Sequence, residues 1–255
     1  MALWLRFETA GAEHFGTLDG DTVTVWRGDM FDQPQATAQR LPLAAVRLLT
    51  PCRPGKMLGL WNNFHQRATL EGLQRPAHPL YFLKAGSCFA AHGDVIRRPA
   101  GYSGMVVFEA ELGIVIGRRT SAIDIADAAA AIFGYTCVND VTARDLMRLD
   151  AAFVHWTRAK SFDTFGPFGP VIASGLDPAA LSVRAVVSGE TRQDYPVSDM
   201  FFAPAEIVSR ISHDMTLEAG DIIACGTSVG AGELREGDTV EVAIAGIGRL
   251  VNRVA

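Results

Sequence analysis

Cysteine is scarce in this sequence: Cys52, Cys88, Cys137 and Cys225 stand singly, with no C-x-x-C pair among them. That spacing argues against a disulfide scaffold and against a zinc module. Cys137 and Cys225 lie in apolar, strand-like runs, where a free thiol packs as a small hydrophobe. Long apolar runs are missing too. None approaches the ~18 residues of a membrane-spanning helix, and the N-terminal MALWLRFETAG lacks the apolar core of a signal peptide. A soluble protein of the cytoplasm is the expectation. Basic residues do not predominate: 23 Lys and Arg face 28 Asp and Glu, a net charge of −5. This argues against nucleic acid or an anionic membrane as the principal partner. There is no internal repeat, low-complexity segment or coiled coil. The glycine-rich GTSVGAG, residues 226–232, lacks the Lys-Ser/Thr of a phosphate-binding loop and does not open a βαβ unit.

What remains is an ordinary globular composition, 49% hydrophobic and 20% charged over 255 residues, enough for one large domain or a large domain with an appendage. Residues 1–55 read as a small β-rich N-terminal domain. It has short strands at 4–7, 12–18 and 22–26, a helical stretch near 41–49, and a junction at Pro51, Pro54 and Gly55. Nothing in it suggests chemistry. Its expected role is packing or dimer formation.

Beyond the junction, 57–61 reads as a strand ended by Asn62-Asn63, and His65 follows at a loop-to-helix entry. Functional groups are often mounted on such loops; a satisfied structural histidine is the alternative. Glu71, six residues on, is off the helix face of His65. Strands are expected at 79–84 and 95–99, and a helix at 124–133 between a strand at 106–116 and another at 135–138. In the first of these, apolar Val106, Phe108, Ala110, Leu112, Ile114 and Ile116 alternate with a set that includes Glu109 and Glu111. The two glutamates share a face, about 7 Å apart at roughly 3.3 Å per residue. Like charges that close raise each other's pKa, so water, a base or a divalent cation must offset them. Asp140 offers a third oxygen. Hard cations such as Mg²⁺, Mn²⁺ or Ca²⁺ take such ligands, and a solvated outer face is the other reading. A short helix is expected at 141–149, with Arg144 either reaching the same pocket or pairing with Asp145 or Asp140. Lys160 opens a segment rich in Gly, Pro and Phe, either a pocket wall or a buried connector. The last third reads as a hairpin at 182–195, a helix at 205–211, and strands at 221–225, 239–244 and 248–251. Thr227 could line a pocket.

From Lys56 onward the chain resembles the fumarylacetoacetate hydrolase family. The motifs stand in that family's order: Asn63-Phe64 and His65; Tyr81 to Lys84; E-x-E at Glu109 and Glu111; Asp140 with Arg144; Lys160 to Pro170; and D-x-x-x-x-G-T from Asp221 to Thr227. The resemblance implies an α+β, mainly β fold. Its mixed β-roll core, residues 56–255, is the catalytic domain, and the protein is commonly a homodimer. It implies Mg²⁺ or Mn²⁺ held by Glu109, Glu111 and Asp140. Arg144 and Thr227 then bind substrate, Lys160 stabilises an oxyanion, and His65 activates water as general base. The substrates implied are small 2-oxo acids or β-dicarbonyls, often from aromatic breakdown.

Two positions depart from the family pattern. Ala68 stands where small hydrolases of the family commonly pair the histidine with a glutamate, and Met147 where true fumarylacetoacetate hydrolases have glutamine. The leading expectation is metal-dependent hydrolysis of a C–C bond in an acylpyruvate or diketone-type acid through a metal-stabilised enolate. Isomerisation, decarboxylation or hydration of an unsaturated 2-oxo-dicarboxylate is the second. A non-catalytic metal- or oxo-acid-binding protein is the third.

Overall fold

A computed structural model describes all 255 residues. The chain opens with an antiparallel meander of β1 (Ala2–Thr9), β2 (Ala12–Asp19), β3 (Thr22–Asp29) and β4 (Asp32–Pro42). The last of these has no alternating apolar pattern, and most of it is exposed at the sheet edge. The helix expected near 41–49 does not form. Leu41 pairs with Val23 in the sheet, a three-residue 3₁₀ turn follows at Leu43–Ala45, and β5 (Arg47–Leu48) returns to β1. Sheet pairing satisfies backbone groups here that a short helix, marginal on its own, would otherwise have to pair.

The chain then enters β6 (Met57–Trp61), α1 (His65–Glu71) and β7 (Leu80–Lys84), and passes the short β8 (Phe89–Ala90) and β9 (Val95–Ile96). The stretch read as one strand from 106 to 116 is two, β10 (Val106–Phe108) and β11 (Ala110–Ile116), interrupted at Glu109. Each half pairs with different partners, so the chain changes sheets there. The helix expected over 124–133 shortens to α2 (Ile125–Ala128) and one 3₁₀ turn, because Ile132 already belongs to β12 (Ile132–Asn139). The helix expected over 141–149 is replaced by β13 (Thr142–Ala143) and a 3₁₀ turn at Arg144–Arg148. Next come α3 (Trp156–Lys160), β14 (Gly166–Ser174), and the expected hairpin of β15 (Ser182–Val187) and β16 (Glu190–Pro196). The chain closes with α4 (Pro204–Asp214), β17 (Ile222–Ala224), β18 (Gly232–Glu233), β19 (Thr239–Ile244) and β20 (Gly248–Val254).

The mainly β, α+β architecture is therefore as expected. The principal sheet runs β4-β3-β2-β1-β14-β12-β11-β17-β6-β7, and a second runs β16-β15-β19-β20-β9. Between them lies the larger core, with Leu112, Ile114 and Ile116 of β11 and Val183, Ala185, Val240 and Val242 of the second sheet. Val115, Val138, Met57, Ile222 and Trp4 form a smaller core on the opposite face of the principal sheet. Both faces of β11 are thus covered, and the whole strand is buried. The solvated outer face considered for Glu109 and Glu111 is excluded. No helix is long and apolar enough to cross a membrane.

Candidate active site

Glu109 and Glu111 share strand parity with Val115, opposite to Ala110 and Leu112. The antiparallel register then brings in the third carboxylate. Ala110 stands opposite Asn139 and Glu111 opposite Val138, and the Asp140 N–H donates to the Glu109 carbonyl at 2.9 Å. The Asn139 side-chain oxygen accepts the Glu109 N–H at 3.2 Å, which fixes the point where β10 and β11 part. One ligand atom from each of Glu109, Glu111 and Asp140 lies within 4.8 Å of the others. This oxygen-only donor set on that scale fits a hard divalent cation and supports a divalent metal site.

Two buried lysines sit against the triad. Lys160, at the end of α3, donates from Nζ to Glu109 Oε2 at 2.5 Å, to Thr142 Oγ1 at 2.7 Å, and to Asp140 Oδ2. Lys84, the last residue of β7, donates to Asp140 Oδ1 at 2.5 Å and to the Lys160 carbonyl. Arg67 of α1 reaches Glu109 Oε1 at 3.1 Å. Burial alone raises the Glu109 carboxyl, but Lys160 and Arg67 more than offset it and hold its pKa at about 2. Glu111 has no such partner. Burial first, then the charges of Asp140 and Glu109, push it well above the ordinary carboxylate range. Burial works against the Lys160 ammonium, yet Asp140 and Glu109 raise its pKa above the usual lysine value, so it stays charged.

The loop after β17 closes the site from the other side. The Gly226 N–H donates to Glu111 Oε2 at 2.8 Å. Gly226 adopts φ +87°, and a Cβ there would stand 3.1 Å from the Leu60 carbonyl, so glycine lets the N–H face the carboxylate. Thr227 donates to the Ala110 carbonyl at 2.8 Å. Gln193 of β16 ties these parts together. Its Oε1 accepts the Ala110 N–H at 3.0 Å, and its Nε2 donates to Thr227 Oγ1 at 2.9 Å and to the Ser228 carbonyl at 3.1 Å.

Above the triad is a cleft of about 230 Å³. Of residues 158–170, for which pocket wall and buried connector were the two readings, only Lys160 reaches the cleft, and the aromatic wall is made by Trp61, Phe82 and Trp156. Phe165 and Phe168 are buried in the core. The Phe82 and Trp156 rings stack at 5.4 Å, and the Lys160 ammonium lies 4.9 Å from the Phe82 ring centre.

Of the residues singled out in the sequence, Glu109, Glu111, Lys160, Thr227 and Arg144 line this cleft, and Asp140 lies beneath it. Arg144 is exposed and pairs with neither Asp140 nor Asp145; its Nη1 lies 3.7 Å from Met105 Sδ. His65 does not join them. It is exposed at the first turn of α1, with its ring 4.1 Å from that of Phe201. At about 100° per residue, Arg67, two positions on, faces nearly the opposite way, and Arg67, Leu70 and Glu71 present the cleft-facing side. Ala68 is buried, so the position of the usual dyad glutamate offers the cleft nothing. The general-base role expected of His65 is not supported by this placement. Lys84, which ends a matching motif but carries no expected role, reaches the site as well, and so do Arg67, Thr142 and Gln193, which belong to no motif. A charge ending an apolar strand (Lys84) and an i,i+4 Arg67–Glu71 pair were the signals available.

Residues 56–255 match the family model described as fumarylacetoacetate (FAA) hydrolase C-terminal, and residues 3–51 match Rv2993c-like, N-terminal. Over 226 residues the chain is 38% identical to oxaloacetate tautomerase YisK of Bacillus subtilis (strain 168), spanning 83% of this chain and 74% of that one. The crystal structure of 2-hydroxyhepta-2,4-diene-1,7-dioate isomerase from Mycobacterium marinum superposes with a TM-score of 0.92 at 37% identity, covering 100% of this chain and 98% of that chain. Maleylpyruvate hydrolase from Sphingobium sp. SYK-6, crystallised with manganese(II) and pyruvate, superposes at 0.81 and 27% identity, covering 100% and 99%.

Proposed function

This chain belongs to the fumarylacetoacetate hydrolase family, and on that premise we propose that it moves a proton on the carbon beside the 2-oxo group of a short 2-oxo-dicarboxylate, as a tautomerase or isomerase. The observation that carries this reading is the make-up of the cleft. It holds an ammonium, a carboxylate triad and one further carboxylate, while His65 faces away. Glu109, Glu111 and Asp140 would hold Mg²⁺ or Mn²⁺, which when bound supplies electrophilic stabilisation of the enolate oxygen. Lys160, kept charged by Glu109 and Asp140 and held on both of them and on Thr142, adds positive charge beside the same developing oxyanion. Thr142 and Lys84 fix the positions of Lys160 and Asp140. Glu71 lines the cleft outside the triad and takes the proton as general base. Arg144 and Thr227 border the space where the acid lies. Trp61, Phe82 and Trp156 exclude water from one side.

C–C bond hydrolysis is the second reading, favoured by the full-length likeness to maleylpyruvate hydrolase. The two separate by assay. Tautomerisation of oxaloacetate and double-bond migration in an unsaturated 2-oxo-dicarboxylate are measured with Mg²⁺, with Mn²⁺ and with chelator, beside pyruvate release from acetylpyruvate. Metal-dependent proton transfer with acetylpyruvate untouched supports the first reading; release of pyruvate and acetate puts the second in its place. His65→Ala should retain proton-transfer activity within about threefold, and Glu71→Gln should lose about 10²-fold or more in kcat. The homodimer implied by the family resemblance stays a proposal that light scattering tests.

A further inference from the structure

Arg67 holds two carboxylates of different standing. Its Nε donates to Glu71 Oε1 at 2.9 Å, a partner on its own helix that moves with it. Its Nη1 donates at 3.1 Å to Glu109 Oε1, and the other oxygen of Glu109 already receives Lys160. A divalent ion taken up by the triad competes with Arg67 for Glu109. Of the cationic side chains on the triad, Lys84 and Lys160 are 0% and 3% exposed, and Arg67 is 23% exposed at the cleft wall. Arg67 is the one free to yield. Arg67 keeps Glu71 through Nε, and its released Nη1 is left at the cleft wall, where a second anion can take the place of Glu109.

The charges around the cleft specify that anion. With a cation on the triad Glu111 is ionised, and Glu71, Glu109, Glu111 and Asp140 face Arg67, Arg144, Lys84 and Lys160, an even balance among the side chains. A divalent ion adds two positive charges, which a dianion neutralises. We propose that Arg67 exchanges Glu109 for the second carboxylate of the substrate, and so determines the preference for dicarboxylic over monocarboxylic 2-oxo acids. The planar guanidinium fork suits such a carboxylate. This inference rests on the functional reading above.

The test uses the full chain with Arg67→Met and Arg67→Lys, oxaloacetate as the dicarboxylate, and pyruvate as the acid that shares its 2-oxo end but lacks the second carboxylate. Mn²⁺ affinity is read by electron paramagnetic resonance, and binding of both acids by water-proton relaxation of the Mn²⁺-loaded protein. In Arg67→Met, oxaloacetate binding should weaken about 10- to 100-fold. Pyruvate binding should stay within about threefold, and Mn²⁺ affinity should be unchanged or tighter because its competitor is gone. Arg67→Lys should fall between. Equal loss for both acids with weakened Mn²⁺ binding would make Arg67 an orienting partner of Glu109 and overturn the proposal. So would Arg144→Met abolishing the dicarboxylate preference while Arg67→Met keeps it. Absence of turnover in the wild type defeats the functional reading alone. The binding arms still decide the exchange, and a wild type without dicarboxylate preference overturns it.

Discussion

Glu109 and Glu111 have the same chemistry two residues apart, and the fold treats them oppositely. With its carboxyl held at about 2 by Lys160 and Arg67 despite burial, Glu109 contributes stability above an unfolded value near 4.5, lost as pH falls towards 2. Glu111, raised by burial and by Asp140 and Glu109, binds more protons folded than unfolded between its two values. Its contribution is present below the unfolded value and lost as pH rises through the folded one. Glu111→Gln removes that loss and keeps an acceptor for the Gly226 N–H. In the metal-free protein at pH 7.5, scanning calorimetry should show Tm rising by about 3 °C or more, the shift that ~1 kcal/mol produces in a chain of this size. Mn²⁺ should no longer raise the Tm of this variant. The cysteines give a second expectation at this scale. Burial pushes the Cys52 and Cys137 thiols up to about 12 and Cys88 to about 11, and it holds Cys225 well above the ordinary thiol value. None should be alkylated by maleimide in the native protein at pH 7.5, and all four should react in denaturant.

Among the elements, the loop after β17 depends on the hairpin of the second sheet. Gly230 there would place a Cβ 2.0 Å from the Arg192 carbonyl, and beside it Gln193 reaches across to Ala110, between the two glutamates. Gln193→Leu leaves the Ala110 N–H and the loop acceptors without their partner, at a cost of about 1–3 kcal/mol. Denaturant unfolding should show that loss. Mn²⁺ titration should show weaker binding, because support behind ligating carboxylates tunes the site. Helix α1 illustrates the same dependence. Phe64 supplies no side-chain cap, and Asp199 from a distant turn accepts the Gln66 N–H at 3.0 Å instead. The roll of α1, and with it which residues face the cleft, is set by that contact and by packing of Ala68.

Across the whole molecule, β1 hydrogen-bonds to β14, so the N-terminal meander continues the principal sheet. Trp4 packs at 4.9 Å on Trp26 and 5.8 Å on Phe133, beside Phe168 and Ile172. Removing residues 1–51 exposes the edge of β14 and this aromatic face together. The remaining chain should aggregate on expression, and a monodisperse, cooperatively unfolding 52–255 fragment would contradict that. Metal binding should be felt at the same scale. The triad joins β11 to the end of β12, so Mn²⁺ at 100 times its Kd should stabilise the chain by about 2.7 kcal/mol. That corresponds to a Tm increase of about 5–10 °C, reversed by chelator.

The amino-acid sequence by itself determined the strand character of β11 and β12, the shared face of Glu109 and Glu111, the burial of Cys137 and Cys225 as apolar thiols, and the entry of α1 at His65. Each follows from composition or periodicity within a few residues, and the order of motifs carried the family. Only the tertiary structure decided the rest. Asp140 meets Glu109 through the register of β11 and β12, and Lys84 joins Asp140 across 56 residues. Glu109 interrupts what looked like one strand because its flanks belong to different sheets. His65 turns outward while Arg67 turns in. Local patterning encodes which residues share a face. Which faces meet is chosen by long-range pairing and by the packing of buried side chains, interactions whose partners lie far apart in the chain.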